Sequence, residues 1–172
     1  MMGLSAVFWL LVLLFGLIGS FRGWAKELLV TFSMVLALFI MYVLEKYVAG
    51  VRDALYAQSG AAQVGIRALL LLLLAYFGYQ TPNIPALGGK LARDKLQDVL
   101  LGFVLGMLNG YFIVGSLWYY MHLTGYPLPY VTPPTDPNVV RFVDYLPPKL
   151  LGEPYIFFAI GAAFVFVIIV FV

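Results

Sequence analysis

The sequence lacks cysteine, has a single histidine and carries few charges. Of its 172 residues only 10% are Asp, Glu, Lys or Arg, and the formal net charge is +2, whereas soluble domains carry about 25% charged residues. Without cysteine, disulfides, thiolate nucleophiles and cysteine-bound metals are excluded. His122 alone supplies too few ligands for most other metal sites, and the small net charge gives no indication of a nucleic-acid partner.

Apolar residues are present in large excess. They make up 63% of the chain, against roughly 45–50% in soluble domains, and they form long continuous runs that do not alternate. Such runs are typical of helices that cross a lipid bilayer. We therefore expect an all-α, polytopic helical membrane protein with four to five transmembrane helices, forming a single integral membrane domain over residues 1–172.

Five segments approach the roughly 20 residues that a helix needs to cross the hydrocarbon core. The expected spans are about 3–19, 26–46, 63–80, 99–123 and 154–172. The first has no Lys or Arg before its apolar run, so we expect a retained helix and no cleaved signal. The third is the weakest because it contains Arg67, which predicts either a full span with a snorkelling arginine or a shorter, partly buried helix.

The connections between the spans differ in length and composition. About six residues join the first two spans, which predicts antiparallel neighbours, and residues 45–63 suggest a short amphipathic excursion. Residues 124–153 form a proline-rich loop, expected outside the cytoplasm. Within it, Asp136 and Pro137 predict a helix start, and the apolar residues that follow favour a short helix lying on the membrane surface.

Orientation is predicted from the distribution of Lys and Arg. The two candidate sides carry five basic residues each: Arg22, Lys26, Lys90, Arg93 and Lys95 on one, and Lys46, Arg52, Arg67, Arg141 and Lys149 on the other. The first set is concentrated in two short loops, while the second is spread out and mixed with acidic residues. We therefore predict the N-terminus outside and the C-terminus inside.

The stretch "GSFRGWAKE", residues 19–27, interrupts the apolar sequence with charges. Arg22 and Glu27 are five positions apart and would point about 140° away from each other on one helix, so they could meet only if the chain turns at Gly23. One interpretation is an interfacial turn that anchors to headgroups. The other is a charge pair deeper in the membrane, where ionisable groups are usually functional.

The fourth span contains a regular glycine pattern. Gly102, Gly106 and Gly110 recur every four residues and predict a groove for close helix contact, with Gly16, Gly19 and Gly23 suggesting the first span as its partner. Asn109 lies almost in line with Gly102. It is either part of the packing, through an interhelical hydrogen bond, or a polar station on a path for a solute or a proton.

Residues with catalytic potential do not form a recognisable arrangement. The sequence shows no serine with a partner base, no phosphate-binding glycine loop, no metal-ligand cluster and no paired carboxylates. Trp118, Tyr119, Tyr120 and His122 are typical of an aromatic belt at the membrane interface. We therefore expect no enzyme activity, no catalytic or metal-binding residues and no cofactor.

Two motifs resemble those of the colicin V production protein (CvpA) family. The turn after the first span is similar to its Arg-Gly-x-x-x-Glu signature, and "DVLLGFVLGMLNGYFIV" is similar to its glycine-rich later helix. The resemblance covers about residues 1–125. The matching positions are Arg22, Gly23, Glu27, Asp98, Gly102, Gly106 and Gly110, while Asn109 and Val99 stand where the family usually has basic residues.

The resemblance implies a bacterial inner-membrane protein linked to toxin production or export and to envelope maintenance, and it implies no reaction. Our leading hypothesis is a non-enzymatic protein of the cytoplasmic membrane that acts through helix contacts with other membrane proteins or with itself. The alternatives are a small channel or transporter, and an accessory subunit of a larger respiratory or photosynthetic complex, which the bare apolar C-terminal helix favours.

Overall fold

The computed structural model of the protein describes residues 3–80 and 94–171, and every regular element in these ranges is helical. This confirms the all-α class. The helices are α1 (Leu4–Arg22), α2 (Trp24–Tyr47), α3 (Ala49–Tyr56), α4 (Gly60–Tyr79), α5 (Lys95–Leu123), α6 (Pro137–Phe142), α7 (Pro147–Leu150) and α8 (Tyr155–Phe171). Val143–Tyr145 forms a single 3-10 turn between α6 and α7.

Four helices are long and apolar enough to cross a membrane, namely α1, α2, α4 and α5. This agrees with the expected multi-pass architecture. The α4 helix runs for 20 residues and includes Arg67, so the weakest predicted span is a continuous helix of spanning length. The α8 helix is apolar and has 17 residues, which makes it shorter than the other four.

The α2 helix lies at the centre of the bundle. It packs against α4, α5 and α8, and its residues Val30, Met34 and Leu38 are buried together with Leu71 of α4 and Phe112 of α5. The α8 helix runs antiparallel to α2, because Phe157 contacts Phe39 near its start and Phe166 contacts Phe32 further along. Among the helices described, α8 makes its main contact with α2.

The α1 helix packs along α5 in the opposite direction. Gly19 near the end of α1 meets Gly102 and Gly106 near the start of α5, whereas Phe8 near the start of α1 meets Trp118 near the end of α5. The start of α1, the end of α2 and the end of α5 therefore lie on one side of the bundle. The α1–α2 turn and the start of α5 lie on the other.

The proline-rich loop is fixed to the bundle. Asp136 Oδ1 accepts a hydrogen bond of 2.9 Å from the Asn138 N–H, and α6 begins at Pro137. Phe142 then packs against Phe8 and Trp118, and Val143 and Leu146 are buried in the same cluster. Much of the expected apolar face packs on α1 and α5, which offer aromatic rings at this end, while Val140 is 41% exposed. The position of this helix on the membrane surface stays a prediction.

Two aromatic residues expected in an interfacial belt face inwards. Trp118 and Tyr120 are almost fully buried, and the Trp118 Nε1–H donates a hydrogen bond of 3.1 Å to the hydroxyl of Tyr126. Of the predicted basic residues, Lys90 and Arg93 lie outside the described residues.

Candidate functional site

The turn between α1 and α2 consists of one residue, Gly23. Its φ of 84° lies in the region that favours glycine, and its N–H donates to the carbonyl of Gly19 at 3.0 Å. A Cβ atom at this position would lie 2.9 Å from Asp98 Oδ2. Both the backbone conformation and the space beside α5 therefore require glycine, and the turn brings Arg22 close to the start of α2.

Asp98 lies in the first turn of α5 and binds the beginning of α2. Its Oδ1 accepts a hydrogen bond of 3.0 Å from the backbone N–H of Trp24, one of the N–H groups that a helix N-terminus leaves without an intrahelical acceptor. A carboxylate at this position also interacts favourably with the positive end of the helix dipole. Asp98 thus fixes α2 to α5 across 74 residues of sequence.

Arg22 and Glu27 form an ion pair beside this turn. Arg22 Nε lies 3.2 Å from Glu27 Oε1, and the exposed fractions of the two side chains are 22% and 0%. The guanidinium also donates a 3.2 Å hydrogen bond to the carbonyl of Tyr79, and its carbon lies 4.3 Å from the centre of the Tyr79 ring. Arg22 therefore joins α1, α2 and the end of α4.

Asn109 supplies the hydrogen bonds that the buried Glu27 needs. Its Nδ2 donates to Glu27 Oε2 at 2.8 Å and to the Glu27 carbonyl at 2.9 Å. The Thr31 hydroxyl donates to Asn109 Oδ1 at 2.8 Å. This orientation of the amide places its donors against acceptors and its oxygen against a hydroxyl, so the assignment of the two amide atoms follows from the neighbours.

Two buried oxygen atoms in this cluster have no hydrogen-bond donor or acceptor among the described residues. They are Glu27 Oε1 and the hydroxyl of Tyr79. The contact between Glu27 Oε1 and Arg22 Nε is short enough for an ion pair, but its direction is not that of a hydrogen bond, which is strongly directional. An ionised carboxylate with one oxygen only partly satisfied has room to accept a proton or a further donor.

The glycines of α1 and α5 bring the two backbones into contact. A Cβ atom on Gly19 would lie 2.2 Å from the carbonyl oxygen of Gly102, and one on Gly106 would lie 2.4 Å from the carbonyl oxygen of Phe15. A Cβ on Gly110 would meet the Phe15 side chain at 2.7 Å. Real Cβ atoms do not approach so closely, so the glycine pattern is used within this chain and is not free for another protein.

The structure thus places the predicted residues in three adjoining groups. Arg22, Glu27 and Asn109 form the charged cluster, Gly23 and Asp98 form the turn, and Gly19, Gly102, Gly106 and Gly110 form the contact between α1 and α5. Within residues 3–80 and 94–171, no group of three or more His, Cys, Asp or Glu side chains is placed to hold a metal ion.

Comparison with known families gives a match that covers all three groups. The profile of the family described as Colicin V production protein matches residues 4–136. The chain belongs to the colicin V production protein family. It is a multi-pass membrane protein of that family, and the match includes all nine residues above. No curated protein and no solved structure matches the chain significantly.

A second buried ion pair, between Glu45 and Arg67, also lies within the residues that match the family. The sequence analysis did not predict this contact. Arg67 of α4 donates to Glu45 of α2 twice, from Nε at 2.8 Å and from Nη2 at 3.1 Å. Its side chain is 0% exposed, so it is packed inside the bundle and does not extend to water as a snorkelling arginine would. Its guanidinium carbon also lies within 6 Å of the rings of Tyr56 and Tyr120, at 5.6 and 5.9 Å.

Sequence reasoning also missed Thr31 and Tyr79. Thr31 lies four residues after Glu27, on the same face of α2, which is a usable signal once Glu27 is suspected. For Tyr79 the sequence gives no such signal, because its contact with Arg22 depends on where α4 ends in space. For the pair of Glu45 and Arg67, the signal was available: opposite charges stand near the adjoining ends of two successive spans.

Proposed function

We propose that the protein is a non-enzymatic component of the bacterial cytoplasmic (inner) membrane that acts through helix contacts with other integral membrane proteins or with a second copy. Its membership of the colicin V production family supports a role in the production or export of that toxin and in envelope maintenance. The lipid bilayer is then its surroundings, and neither a cofactor nor nucleic acid is required.

One observation carries this proposal: among the described residues, the buried charged side chains, Glu27 and Arg67, are each held by other side chains of the bundle. Glu27 is held by Asn109 and Arg22, and Glu45 is held by Arg67. The contact between α1 and α5 leaves no space for a solute, because their backbones touch at Gly19 and Gly102. An arrangement that is closed inside and apolar outside suits a protein that works through its outer surface.

The outer face of α8 is the surface we assign to a partner. Its residues Phe158 and Phe164 are 72% and 60% exposed, and the helix follows the segment that matches the family. Exposed aromatic side chains offer a large contact area to a neighbouring protein, and their rings prefer defined packing geometries. This face also favours the related possibility of an accessory subunit in a larger membrane complex.

Purification in mild detergent, with identification of the membrane proteins that accompany the chain, tests the proposal. The variant Phe158→Leu/Phe164→Leu keeps α8 apolar but removes both rings, so we expect it to lose its partners. The matched control is Tyr76→Leu/Phe77→Leu on the exposed face of α4, which should keep them. If the α8 variant retains every partner of the wild type, the assignment of this face is wrong.

A small channel or transporter is a second candidate, and the cluster at Glu27 favours it. A buried carboxylate within a membrane-spanning helix, with one oxygen lacking a hydrogen bond, is a common feature of proton and ion pathways. Proton flux into proteoliposomes separates the two candidates. Under the leading proposal we expect the wild type to show no proton flux. Flux that Glu27→Gln abolishes, and that Asp53→Asn at an exposed carboxylate leaves intact, would support a pathway instead.

The predicted orientation remains part of the proposal. The start of α1 and the end of α5 share one side of the bundle, which we assign to the outside, and α8 then runs towards the cytoplasm. A reporter that is active only outside the cytoplasm, fused after Val172, should be inactive. Activity of that fusion would reverse the orientation.

A further inference from the structure

A cavity of about 300 Å³ lies at the end of α2, on the side of the bundle away from the turn at Gly23. Its walls come from α2, α4, α5, the end of α3 and the segment that includes α7. Leu38 and Met41 form an apolar end, and Lys46, Arg67 and four tyrosines form a polar end. A mostly apolar pocket with a few converging polar groups is typical of a site for an amphipathic ligand.

The polar end of this cavity has an excess of positive charge. Lys46 and Arg67 line it together with one carboxylate, Glu45. Both oxygens of Glu45 are bound by Arg67, and Arg67 is fully buried, so this pair is fixed in place. Glu45 and Arg67 neutralise each other, which leaves Lys46 as the second cation that lines the cavity. The side chain of Lys46 is 44% exposed.

The anion that pairs with Lys46 in this structure is the carboxylate of Glu153, a residue that does not line the cavity. Its Oε2 accepts hydrogen bonds from the Lys46 ammonium and, at 2.8 Å, from the Tyr42 hydroxyl. These two donors hold the pKa of Glu153 below its ordinary value, which means that the position favours a negative charge. An exposed ion pair of this kind is weak, so another anion could displace the carboxylate at little cost.

The place of the cavity in the fold indicates which anion would meet it. Lys46 lies in the last turn of α2, at the end of a helix of membrane-spanning length, where phospholipid headgroups are concentrated. Lysines and tyrosines at such helix ends bind headgroup phosphates. The volume is enough for a headgroup, while the acyl chains would lie along the apolar outer faces of the bundle.

We propose that this cavity binds the phosphate-bearing headgroup of an anionic phospholipid, with Lys46 as its cationic partner and Glu153 as an internal competitor for the same position. The bound lipid would contact α2, α4 and α5 together. The proposal is independent of the function proposed above, since it concerns the opposite end of α2 from Glu27.

Thermal unfolding of the full chain in lipid nanodiscs tests the proposal, because a ligand that binds the folded state raises the unfolding temperature. The wild type should be more stable in phosphatidylcholine containing phosphatidylglycerol than in phosphatidylcholine alone. The variant Lys46→Gln should lose this preference. The control Arg52→Gln removes a positive charge from the same end of the bundle, at an exposed residue bound to Asp53, and should keep it.

The variant Glu153→Gln gives the decisive result, because it should change binding in the opposite direction. Without the competing carboxylate, we expect the affinity for phosphatidylglycerol to rise by up to about fivefold, the ratio that corresponds to the loss of an exposed ion pair. An unchanged or reduced affinity would overturn the proposal. Stabilisation of the protein in phosphatidylcholine by inorganic phosphate alone, equal to that by the lipid, would overturn the assignment to a lipid.

Discussion

The two ends of α2 hold a buried ion pair each, and the two pairs are built differently. At one end, both oxygens of Glu45 accept hydrogen bonds from Arg67, which is 0% exposed, while Glu45 is 20% exposed. At the other end the carboxylate of Glu27 is the fully buried partner, Arg22 is 22% exposed, and the hydrogen bonds come from the neutral Asn109. The two carboxylates are 18 residues apart, about 27 Å along the helix.

This difference in hydrogen bonding indicates that the pair of Glu45 and Arg67 is rigid, whereas the pair of Arg22 and Glu27 can rearrange. A guanidinium that makes two parallel hydrogen bonds to a carboxylate is fixed in direction as well as in charge. Arg22 has a route to water, and Glu27 keeps one oxygen without a hydrogen bond. The separation of the two pairs is close to the roughly 30 Å of the hydrocarbon core, so each pair can lie near one membrane boundary. We call the end of α2 at Glu45 and Arg67 the fixed end, and the end at Glu27 and Arg22 the adaptable end.

The largest effect should come from breaking the fixed pair. Arg67→Met would leave Glu45 without its partner and remove both aromatic contacts, so we expect the free energy of unfolding to fall by about 3 kcal/mol, the low end for buried pairs because Glu45 is partly exposed. Denaturant unfolding in detergent, followed by tryptophan fluorescence, measures it. Arg52→Met, which breaks an exposed pair, should cost less than about 0.5 kcal/mol. Equal losses would contradict the structural role.

At the adaptable end, the amide should matter more than the charge. Asn109→Leu removes two hydrogen bonds to Glu27 and one acceptor of Thr31. The Thr31 hydroxyl keeps its bond to the Glu27 carbonyl, but the buried Glu27 Oε2 loses its donor. We expect a loss of about 2 kcal/mol, measured in the same way. Asn138→Leu, at an exposed asparagine, is the control and should be close to neutral. A smaller loss for Asn109→Leu than for Glu27→Gln would reverse our reading of this end.

Neutralising Glu27 should have a modest effect. In Glu27→Gln the side-chain oxygen can still accept from Asn109, and Arg22 can turn towards water, so we expect a loss of about 1 kcal/mol. In Glu45→Gln the buried Arg67 would lose its counter-charge and has no such route, which should make that variant clearly less stable. Unfolding of the two variants side by side measures the difference. If they are equally stable, the contrast between the two ends does not hold.

The smallest effect is expected at Tyr79. Its hydroxyl is buried without a hydrogen-bond partner, so Tyr79→Phe should change stability by less than about 0.5 kcal/mol or raise it slightly, and the ring remains beside Arg22. Tyr56→Phe at the other end would lose a 3.3 Å hydrogen bond to Glu45 and should be mildly destabilising. A clear loss of stability in Tyr79→Phe would show that its hydroxyl has a partner, such as a bound water.

Sequence reasoning was most successful where local spacing determines the outcome. The lengths of the apolar runs predicted the helical membrane class, and the Asp136–Pro137 pair predicted the start of α6. The recurrence of glycine every four residues in α5 indicated a close helix contact, and the structure has α1 against that face. In each case the signal lies within a few residues, where helix geometry leaves few alternatives.

Contacts between distant segments were harder to predict. The pairing of Arg22 with Glu27 depended on a turn at Gly23 that the sequence permitted but did not require. Arg67 was read as a snorkelling residue because its partner Glu45 lies 22 positions away and belongs to another helix. Trp118 and Tyr120 have the composition of an interfacial belt, and only the packing of α6 and α4 around them shows that they are interior residues.

The hydrogen bonds from Asn109 to Glu27 join residues 82 positions apart in sequence. During biosynthesis Glu27 is therefore made well before the residue that binds it. When α1 and α2 leave the ribosome, Glu27 has Arg22 beside it but neither Asn109 nor the Asp98 carboxylate that binds the start of α2. Both arrive with α5, the last of the four long helices to be made. The first hairpin therefore enters the membrane with a carboxylate that lacks the Asn109 donor, and the arrival of α5 supplies a hydrogen bond to its Oε2.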